Sequence, residues 1–434
     1  MKIELLGIKV NTESKGEIIQ QLQSRIKSGQ KSFIVTPYSE FFYRGFLDFD
    51  FKKILNQADF SLPDGIAVQW LGYYLGLSLK AKSFYGKVLQ AFTQMVYTGA
   101  DILLRPSKLK TVVPEKISGS EFFWDLCEIA NQSNLSIFLL GGFGETAALV
   151  SKKILQRYPN VKIAGVSSAD PTDQSLVNKI NQAKTDILMV AYGPPKQERW
   201  IFQNLKDLDV KVAIGLGGTF DYISGKKIRP PQFIREVGLE WLFRLITQPH
   251  RYKRILNATF GLVRGTIRYK VFITMPFRPN VVGVIIDQQN QVFVAKRFFN
   301  SASTEHPSTE EHWQFPQGGI DLHEDPEKAV LREMREEIHT ENLQILGKSS
   351  HTNTYLWNHT IRNLSFNRLK FKGQEQTIYY LKYFGDNSDI VLDHHELSDY
   401  RWVAPSELPN VIHRYRQDLI KIVMEEIGKY TNGK

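Results

Sequence analysis

Between residues 30 and 225 short apolar runs alternate with helical stretches, and that alternation restricts the first part of the chain to one kind of fold. Residues 32–36 (SFIVT), 135–142 (LSIFLLGG), 161–166 (VKIAGV), 186–193 (DILMVAYG) and 210–218 (VKVAIGLGG) are rich in Val, Ile and Leu, and most end in glycine. Between them lie 144–158 and 173–184, which read as helices. Buried strands that alternate with helices build a mainly parallel sheet, because each parallel pair needs a crossover and the crossover helix covers the sheet. The expectation is a Rossmann-like α/β domain. Ligands of such sheets bind beyond the carboxyl ends of the strands, so the glycine-bearing strand ends are where chemistry is expected.

The pattern changes after Lys270. Residues 278–296 read as two strands around a turn, a polar loop spans 300–312, and WQFPQGG leads into an acidic helical segment. Strand-like stretches at 377–385 and 400–405 and a helical one at 410–429 complete an α+β domain. A length of 434 residues exceeds one ordinary core. The division expected is 1–270 and 275–434, with the boundary near residue 274 and no internal repeat.

Hydrophobic residues at 42% and charged residues at 23% exclude a disordered or fibrous chain. The single cysteine, Cys127, excludes an intrachain disulfide and a cysteine-based metal site. No signal peptide is read at the N-terminus and no transmembrane run anywhere. The nearest candidate, 84–104, is interrupted by Lys87, Gln90, Gln94 and Asp101. Its apolar spacing (Phe84, Val88, Phe92, Met95, Val96) predicts an additional core helix, with a membrane-facing helix as the alternative. The net charge of +10 is concentrated. From Lys226 to Lys270 there are eleven Lys/Arg against Glu236 and Glu240, interleaved with aromatic and aliphatic residues. Such a stretch suits an anionic partner: a membrane surface, phosphate or nucleic acid.

The acidic segment holds Gly318, Glu324, Arg332, Glu333, Glu336 and Glu337. Residues three and four apart share a helix face, so Glu333, Glu336 and Glu337 are expected to converge. Packed carboxylates repel unless a cation lies between them, and hard oxygen ligands favour Mg²⁺ or Mn²⁺. A solvated charged face is the bland alternative. The spacing Gly-x5-Glu-x7-Arg-Glu-x2-Glu-Glu resembles the Nudix box, and the resemblance extends over about residues 276–434. It departs at His339, where glycine is usual, and at Thr340, where an aliphatic is usual. The segments 278–285, 313–320, 372–381 and 396–403 further resemble the dinucleoside-polyphosphate and RNA pyrophosphohydrolase branch. That resemblance implies an α/β/α sandwich, hydrolysis of a pyrophosphate bond in a nucleotide or RNA 5′-end, and a glutamate beyond the box, Glu396, that assists the metal. Gln374 and Gln376 fall in a matching segment and are given no role.

In the first domain Thr36, Asp64, Gly141, Gly142, Gly193, Lys196, Gln197, Glu198, Gly217 and Gly218 stand at strand ends or turns. Glycines there let backbone N–H groups approach a phosphate, which a nucleotide diphosphate would supply. Taken together, 53–68, LLGG, 193–200 (GPPKQERW), 214–226 and 238–245 resemble the WecG/TagA/CpsF glycosyltransferases over about residues 1–255. That family resemblance implies metal-free, inverting transfer of an N-acetylmannosamine-type or related sugar from a UDP-sugar to a polyprenyl-diphosphate-linked acceptor, as a step in cell-surface polysaccharide synthesis. It implies Asp64 as general base, Gln197 and Glu198 at the nucleotide-sugar pocket, and residues 226–270 as a membrane-binding tail whose arginines reach acceptor phosphate. It also departs: Tyr38 stands where the family has Asn, and Lys116–Glu121 replaces its Arg-Val-x-Gly-x-Asp. The location implied is cytoplasmic, peripheral on the inner face of the membrane, and a second copy of the chain stands among the partner expectations. The alternative is a silent sugar-nucleotide or membrane-binding module that localises the hydrolase.

Overall fold

The computed structural model describes residues 1–236, 238–247, 249, 252–297, 313–357, 371–392, 396–412 and 416–431. The side chains of Arg244 and Arg254, together with Arg251 and the polar loop expected at 300–312, lie outside that description. The chain forms two compact units, Met1–Val271 and Phe272–Lys434.

The first unit opens with an antiparallel pair, β1 (Lys2–Leu5) and β2 (Ile8–Asn11). Its sheet comprises β3 (Ser32–Val35), β4 (Phe60–Ser61), β5 (Ser136–Gly141), β6 (Lys162–Ser167), β7 (Ile187–Ala191) and β8 (Val212–Gly215). The order is β4-β3-β8-β7-β5-β6 and every pairing is parallel. Strands β3, β5, β7 and β8 are buried along their whole length, which is why they read as unbroken apolar runs; β6 is the edge and is only partly covered. One face is covered by helices Lys15–Lys27, Gly119–Ser133 and Thr146–Arg157, through Ile18, Leu22, Phe122, Leu126, Val150 and Ile154. Each such side chain contributes about 1.5–3 kcal/mol on burial. Ser14 starts the first of these helices: its hydroxyl accepts from the Glu17 N–H, and the Glu17 carboxylate accepts from the Ser14 N–H at 2.8 Å. Cys127 is buried in this core, and burial pushes its thiol pKa up, so it is inert packing.

Helix Phe84–Leu104 is not the core helix that its spacing predicts. Its buried residues are Ala91, Gln94, Thr98 and Asp101, and its large apolar side chains face outward. Hydrogen bonds supply the reason. Trp70 Nε1 donates to Thr98 Oγ1 (3.1 Å), the Tyr73 hydroxyl to Asp101 (3.0 Å), the Tyr74 hydroxyl to the Ala91 carbonyl (2.9 Å), and Gln94 Nε2 to the Ser78 carbonyl (3.0 Å). Once helix Ile66–Gly76 offers these partners, the polar face is the one that docks. Among the described residues no helix is long and apolar enough to cross a membrane.

The basic stretch folds as helices Gln232–Glu236, Glu240–Thr247, Tyr252–Leu256 and Leu262–Phe272. Much of its charge is used inside the fold. Arg229 and Arg235 both pair with Glu121 (2.9 and 3.0 Å), and Lys227 pairs with Asp221. Lys226 Nζ donates to the Phe143 carbonyl and Thr146 Oγ1. Lys270 is buried, donates to the Tyr74 carbonyl and lies 4.0 Å from the Tyr74 ring centre; burial lowers its pKa to about 8.

The second unit is a seven-stranded mixed sheet of β9 (Arg278–Ile286), β10 (Val292–Arg297), β11 (Trp313–Gln314), β12 (Gln317–Gly319), β13 (Leu343–Leu356), β14 (Gly373–Tyr383) and β15 (Leu397–Val403). Among the described residues only β9–β14 is parallel. The side chains of β9 alternate between faces: Val281 and Ile285 pack with Val330, Met334 and Ile338 of helix Pro326–Ile338, whereas Val282 and Val284 pack with Leu419 and Val423 of helix Gln417–Glu426. A helix on each face of the sheet gives an α/β/α sandwich.

Candidate functional sites

At the carboxyl edge of the first sheet, Thr36 follows β3, Asp64 follows β4, Gly142 follows β5, Gly193 follows β7 and Gly217 follows β8. Asp64 is partly exposed; its N–H donates to the Pro37 carbonyl (3.0 Å) and its Oδ2 accepts from the Gly119 N–H (3.2 Å). Gly119 is the first residue of a 15-residue helix, whose N-terminus favours a negative charge. A Cβ at Gly119 would stand 3.5 Å from both Asp64 Oδ2 and Thr36 Oγ1, so the three residues share one small space. The Ile117 N–H holds the loop from behind by donating to the Pro63 carbonyl (2.8 Å).

Gln197 and Glu198 lie beneath the loops. Both are buried, and Gln197 Oε1 accepts from the N–H groups of Gly193 and Gly217, each at 2.9 Å. Gln197 Nε2 donates to Glu198 Oε1 at 2.6 Å. A Cβ at Gly215 would come within 2.6 Å of the Gln197 amide, so glycine is required there. The Gly142 N–H is also taken, by the Ala191 carbonyl. The expectation that these three glycines offer N–H groups to phosphate is thereby corrected: what they provide is close backbone approach. Gly141 and Gly142 have positive φ (94° and 78°), and Gly218 precedes helix Thr219–Ile223. Lys196 opens helix Lys196–Asn204 and is exposed.

Burial raises the Glu198 carboxyl to about 7. A carboxyl whose folded pKa is raised holds its proton in the native state after the unfolded chain has lost it, so stability falls as pH rises from about 4.5 to about 7. Glu198→Gln is therefore expected to stabilise the protein above pH 7 by about 1–3 kcal/mol and to be nearly neutral at pH 4. Thermal unfolding at the two pH values checks this.

The departures from the family pattern have partners. The Tyr38 hydroxyl donates to Glu40 Oε2 (2.8 Å), and Arg44 pairs with the same buried carboxylate (2.7 Å). Lys116 Nζ donates to the Arg235 carbonyl (3.2 Å), so Lys116 and Glu121 together tie down the start of the basic tail. Glu121's tethering role has no signal in the sequence, since its partners lie more than 100 residues away.

In the second unit Asp325 caps helix Pro326–Ile338 by accepting from the Glu327 N–H (2.9 Å), and His339 ends it in the left-handed region at φ 55°. That conformation explains why glycine is usual at 339. Here the His339 ring bonds the Val391 carbonyl (2.8 Å), and Thr340 Oγ1 bonds Asp389. Arg332 is the hub. Its guanidinium grips Glu324 with two bonds (2.8 and 2.9 Å), donates to Glu333 (2.9 Å) and Glu336 (3.0 Å), and reaches the Gly319 carbonyl (2.8 Å). The hydrogen bonds from Arg332 lower Glu324 to about 2. Glu337 is buried, with Oε2 accepting from the Gln317 N–H (3.0 Å). Burial raises Glu337 well above the usual carboxylate range, reinforced by Glu396 and Glu333, and burial raises Glu333 as well. Glu396 is exposed just before β15.

Among the described residues no group of three or more His, Cys, Asp or Glu is already placed to hold a metal. Arg332 pairs with Glu333 and Glu336 instead. The donor chemistry nonetheless fits a hard divalent cation, since every candidate ligand is a carboxylate oxygen and two are raised by burial among like charges. Gly318 makes room for this arrangement, because a Cβ there would lie 1.7 Å from the Glu333 carboxyl carbon. Gly318→Ala is expected to cost about 1–3 kcal/mol and to abolish hydrolysis while leaving sugar transfer unchanged; paired assays on one preparation check it.

Behind Glu337 runs a polar network. Gln376 Nε2 donates to Gln317 Oε1 (2.5 Å), Asn353 Nδ2 donates to Gln376 Oε1 (2.7 Å), and Arg416 donates to Gln317 (2.9 Å) and Gln314 (3.1 Å). Gln314 and Gln317 belong to the WQFPQGG run and Gln376 to the segment left without a role; nothing in the helical reading of 410–429 singled out Arg416.

The two units define an α/β enzyme with its ligand loops on one sheet edge and, after it, a sandwich domain built around a glutamate-rich helix. The model of the glycosyl transferase WecG/TagA/CpsF family matches residues 3–94 and 77–274, and the chain belongs to that family. The NUDIX domain model matches residues 276–425, so the chain also carries a Nudix hydrolase domain. The N-acetylglucosaminyldiphosphoundecaprenol N-acetyl-beta-D-mannosaminyltransferase of Bacillus subtilis is 33% identical over 226 residues, 52% of this chain and 75% of the relative. The protein of the same name from Bacillus spizizenii is 30% identical over 262 residues, 60% of this chain and 87% of the relative. Among solved structures, a C. elegans Ap4A hydrolase binary complex is 16% identical, with 36% of this chain and 99% of that chain covered and a TM-score of 0.26. A MutT protein from Methanosarcina mazei is also 16% identical, with 37% and 99% covered and a TM-score of 0.26. At those scores the two structures support no argument about this chain.

Proposed function

We propose that the first unit transfers an N-acetylmannosamine-type sugar from a UDP-sugar to a polyprenyl-diphosphate-linked acceptor, and that the second hydrolyses a pyrophosphate bond in a nucleotide. The observation that carries the first reading is the juxtaposition of Asp64, Thr36 and the Gly119 helix N-terminus at the sheet's carboxyl edge. The printed activity of the relatives supports it. Asp64 accepts the proton of the acceptor hydroxyl as that oxygen bonds to the anomeric carbon; the bond from that carbon to the diphosphate breaks, and UDP leaves with the electron pair. The Gly119 N–H orients the carboxylate and Thr36 lines the same space, Gln197 sets the loops that receive the nucleotide, and Lys196 offers the diphosphate a cation. No metal takes part in this reading. The protein's location in this reading is peripheral, on the inner face of the membrane among anionic lipids; the exposed apolar residues Ile228, Phe233, Ile246 and Phe260 of the tail support it.

In the hydrolase, Glu333, Glu336, Glu337 and Glu396 would hold Mg²⁺ or Mn²⁺, which when bound supplies positive charge to the substrate phosphates. Arg332 keeps Glu324, Glu333 and Glu336 in register, and Gln317 fixes Glu337. The substrate class is a nucleotide: a nucleotide sugar or by-product of glycan synthesis, a dinucleoside polyphosphate, or a triphosphorylated RNA 5′-end. Full-length protein is to be assayed for transfer from UDP-N-acetylmannosamine to a GlcNAc-diphosphate-polyprenol, and with Mg²⁺ against each of those nucleotides. Transfer without donor hydrolysis sustains the first reading. No transfer, with hydrolysis intact, favours a silent localising module, for which the Tyr38 departure is the motive.

A further inference from the structure

We infer that helix Phe84–Leu104 is a second membrane-docking element, separate from the basic tail, and that its outward face lies in the interfacial layer of an anionic leaflet. The helix is inside out. Its buried face is polar: Thr98 and Asp101 have no exposure, and Gln94, Thr98 and Asp101 each bond helix Ile66–Gly76 or the chain just after it. Its outward face carries Leu89 (65% exposed), Phe92 (51%), Val96 (53%), Leu103 (61%) and Leu104 (75%), spaced at helical intervals over nearly the whole length. Turning that face to water has a cost of about 25 cal/mol for each Å² of apolar surface, and the few polar groups along it, the hydroxyls of Tyr85, Thr93 and Tyr97, offset little of that cost. A row this long calls for an apolar cover.

Charge decides what the cover is. Lys80 and Lys82 precede the helix, Lys87 lies in its first turn, and Arg105, Lys108 and Lys110 follow it; the one acid in residues 80–110, Asp101, is buried against Arg105. An apolar stripe flanked at both ends by cations matches acyl chains beneath anionic headgroups. A second copy of a chain with net charge +10 would bring the same cations against these. The helix is too polar on its inner side to span a bilayer, so it lies in the plane of the leaflet.

The surface is continuous with the neighbourhood of Asp64. Helix Ile66–Gly76, against which this helix docks, begins two residues after Asp64, and a Cβ at Gly238, at the start of the tail, would touch both Ile66 and Ile102. Two elements, not one, then hold the sheet's carboxyl edge at the lipid. This rests on the burial pattern and does not depend on the proposed sugar transfer.

The test uses full-length protein and vesicles of phosphatidylcholine with or without phosphatidylglycerol. Phe92→Glu with Val96→Glu is expected to weaken sedimentation with anionic vesicles roughly tenfold or more, with an unchanged melting transition and unchanged Nudix activity. Separately, Phe92→Cys labelled with an environment-sensitive dye is expected to shift to the blue on anionic vesicles and not on phosphatidylcholine alone; the buried Cys127 does not compete for the label. An unshifted dye, or unchanged vesicle binding by the double variant, overturns the inference. So does a concentration-dependent dimer that the double variant abolishes, since it assigns the face to a second copy.

Discussion

Glu337→Gln is expected to lower the rate of pyrophosphate hydrolysis about 10³-fold while leaving the fold intact or slightly more stable. Glutamine is isosteric and its amide oxygen still accepts from the Gln317 N–H, so the link between helix Pro326–Ile338 and β12 is kept. The change removes a buried carboxyl whose charged form is held at a cost, because burial and the nearby Glu396 and Glu333 all disfavour it. A group retained against that cost earns its place through chemistry rather than packing. Release of phosphate-containing product from the best substrate of the panel, measured beside a thermal melt, checks both halves. A variant that melts higher and hydrolyses at the native rate assigns Glu337 to structure alone.

The second large effect is expected at Asp64. Asp64→Asn keeps an oxygen for the Gly119 N–H and so preserves the helix contact, yet it cannot take a proton at neutral pH. Sugar transfer is expected to fall about 10²–10⁴-fold, with donor binding and nucleotide hydrolysis unchanged. The split matters more than the size of the loss: if donor affinity falls together with turnover, Asp64 organises the pocket and another group is the base. Equilibrium binding of the UDP-sugar beside initial rates of transfer separates the two.

Much of this architecture is legible in the residues. Buried parallel strands leave unbroken Val/Ile/Leu runs, so 135–141 and 187–191 announce themselves. The box spacing around Glu333 is long enough to be specific. What sequence could not supply is which partner each polar group meets. Helix Phe84–Leu104 carries the apolar period of a core helix, and only the tryptophan and tyrosines of its neighbour determine that the other face is buried. The eleven cations of the tail count alike in composition, yet Glu121 takes two of them and Lys270 is enclosed against Tyr74. The partners of the glutamates are likewise not in the spacing: Arg332 takes Glu324, eight residues away, and the Gln317 N–H takes Glu337.

The amide of Gln197 bridges the turns after β7 and β8 with a single oxygen. Two loops pinned by one atom cannot wander independently. The rim they form is therefore set in advance, and any ligand that fits it costs the protein little freedom in binding. A rim set this way favours ligands by shape at first contact rather than by closing around them.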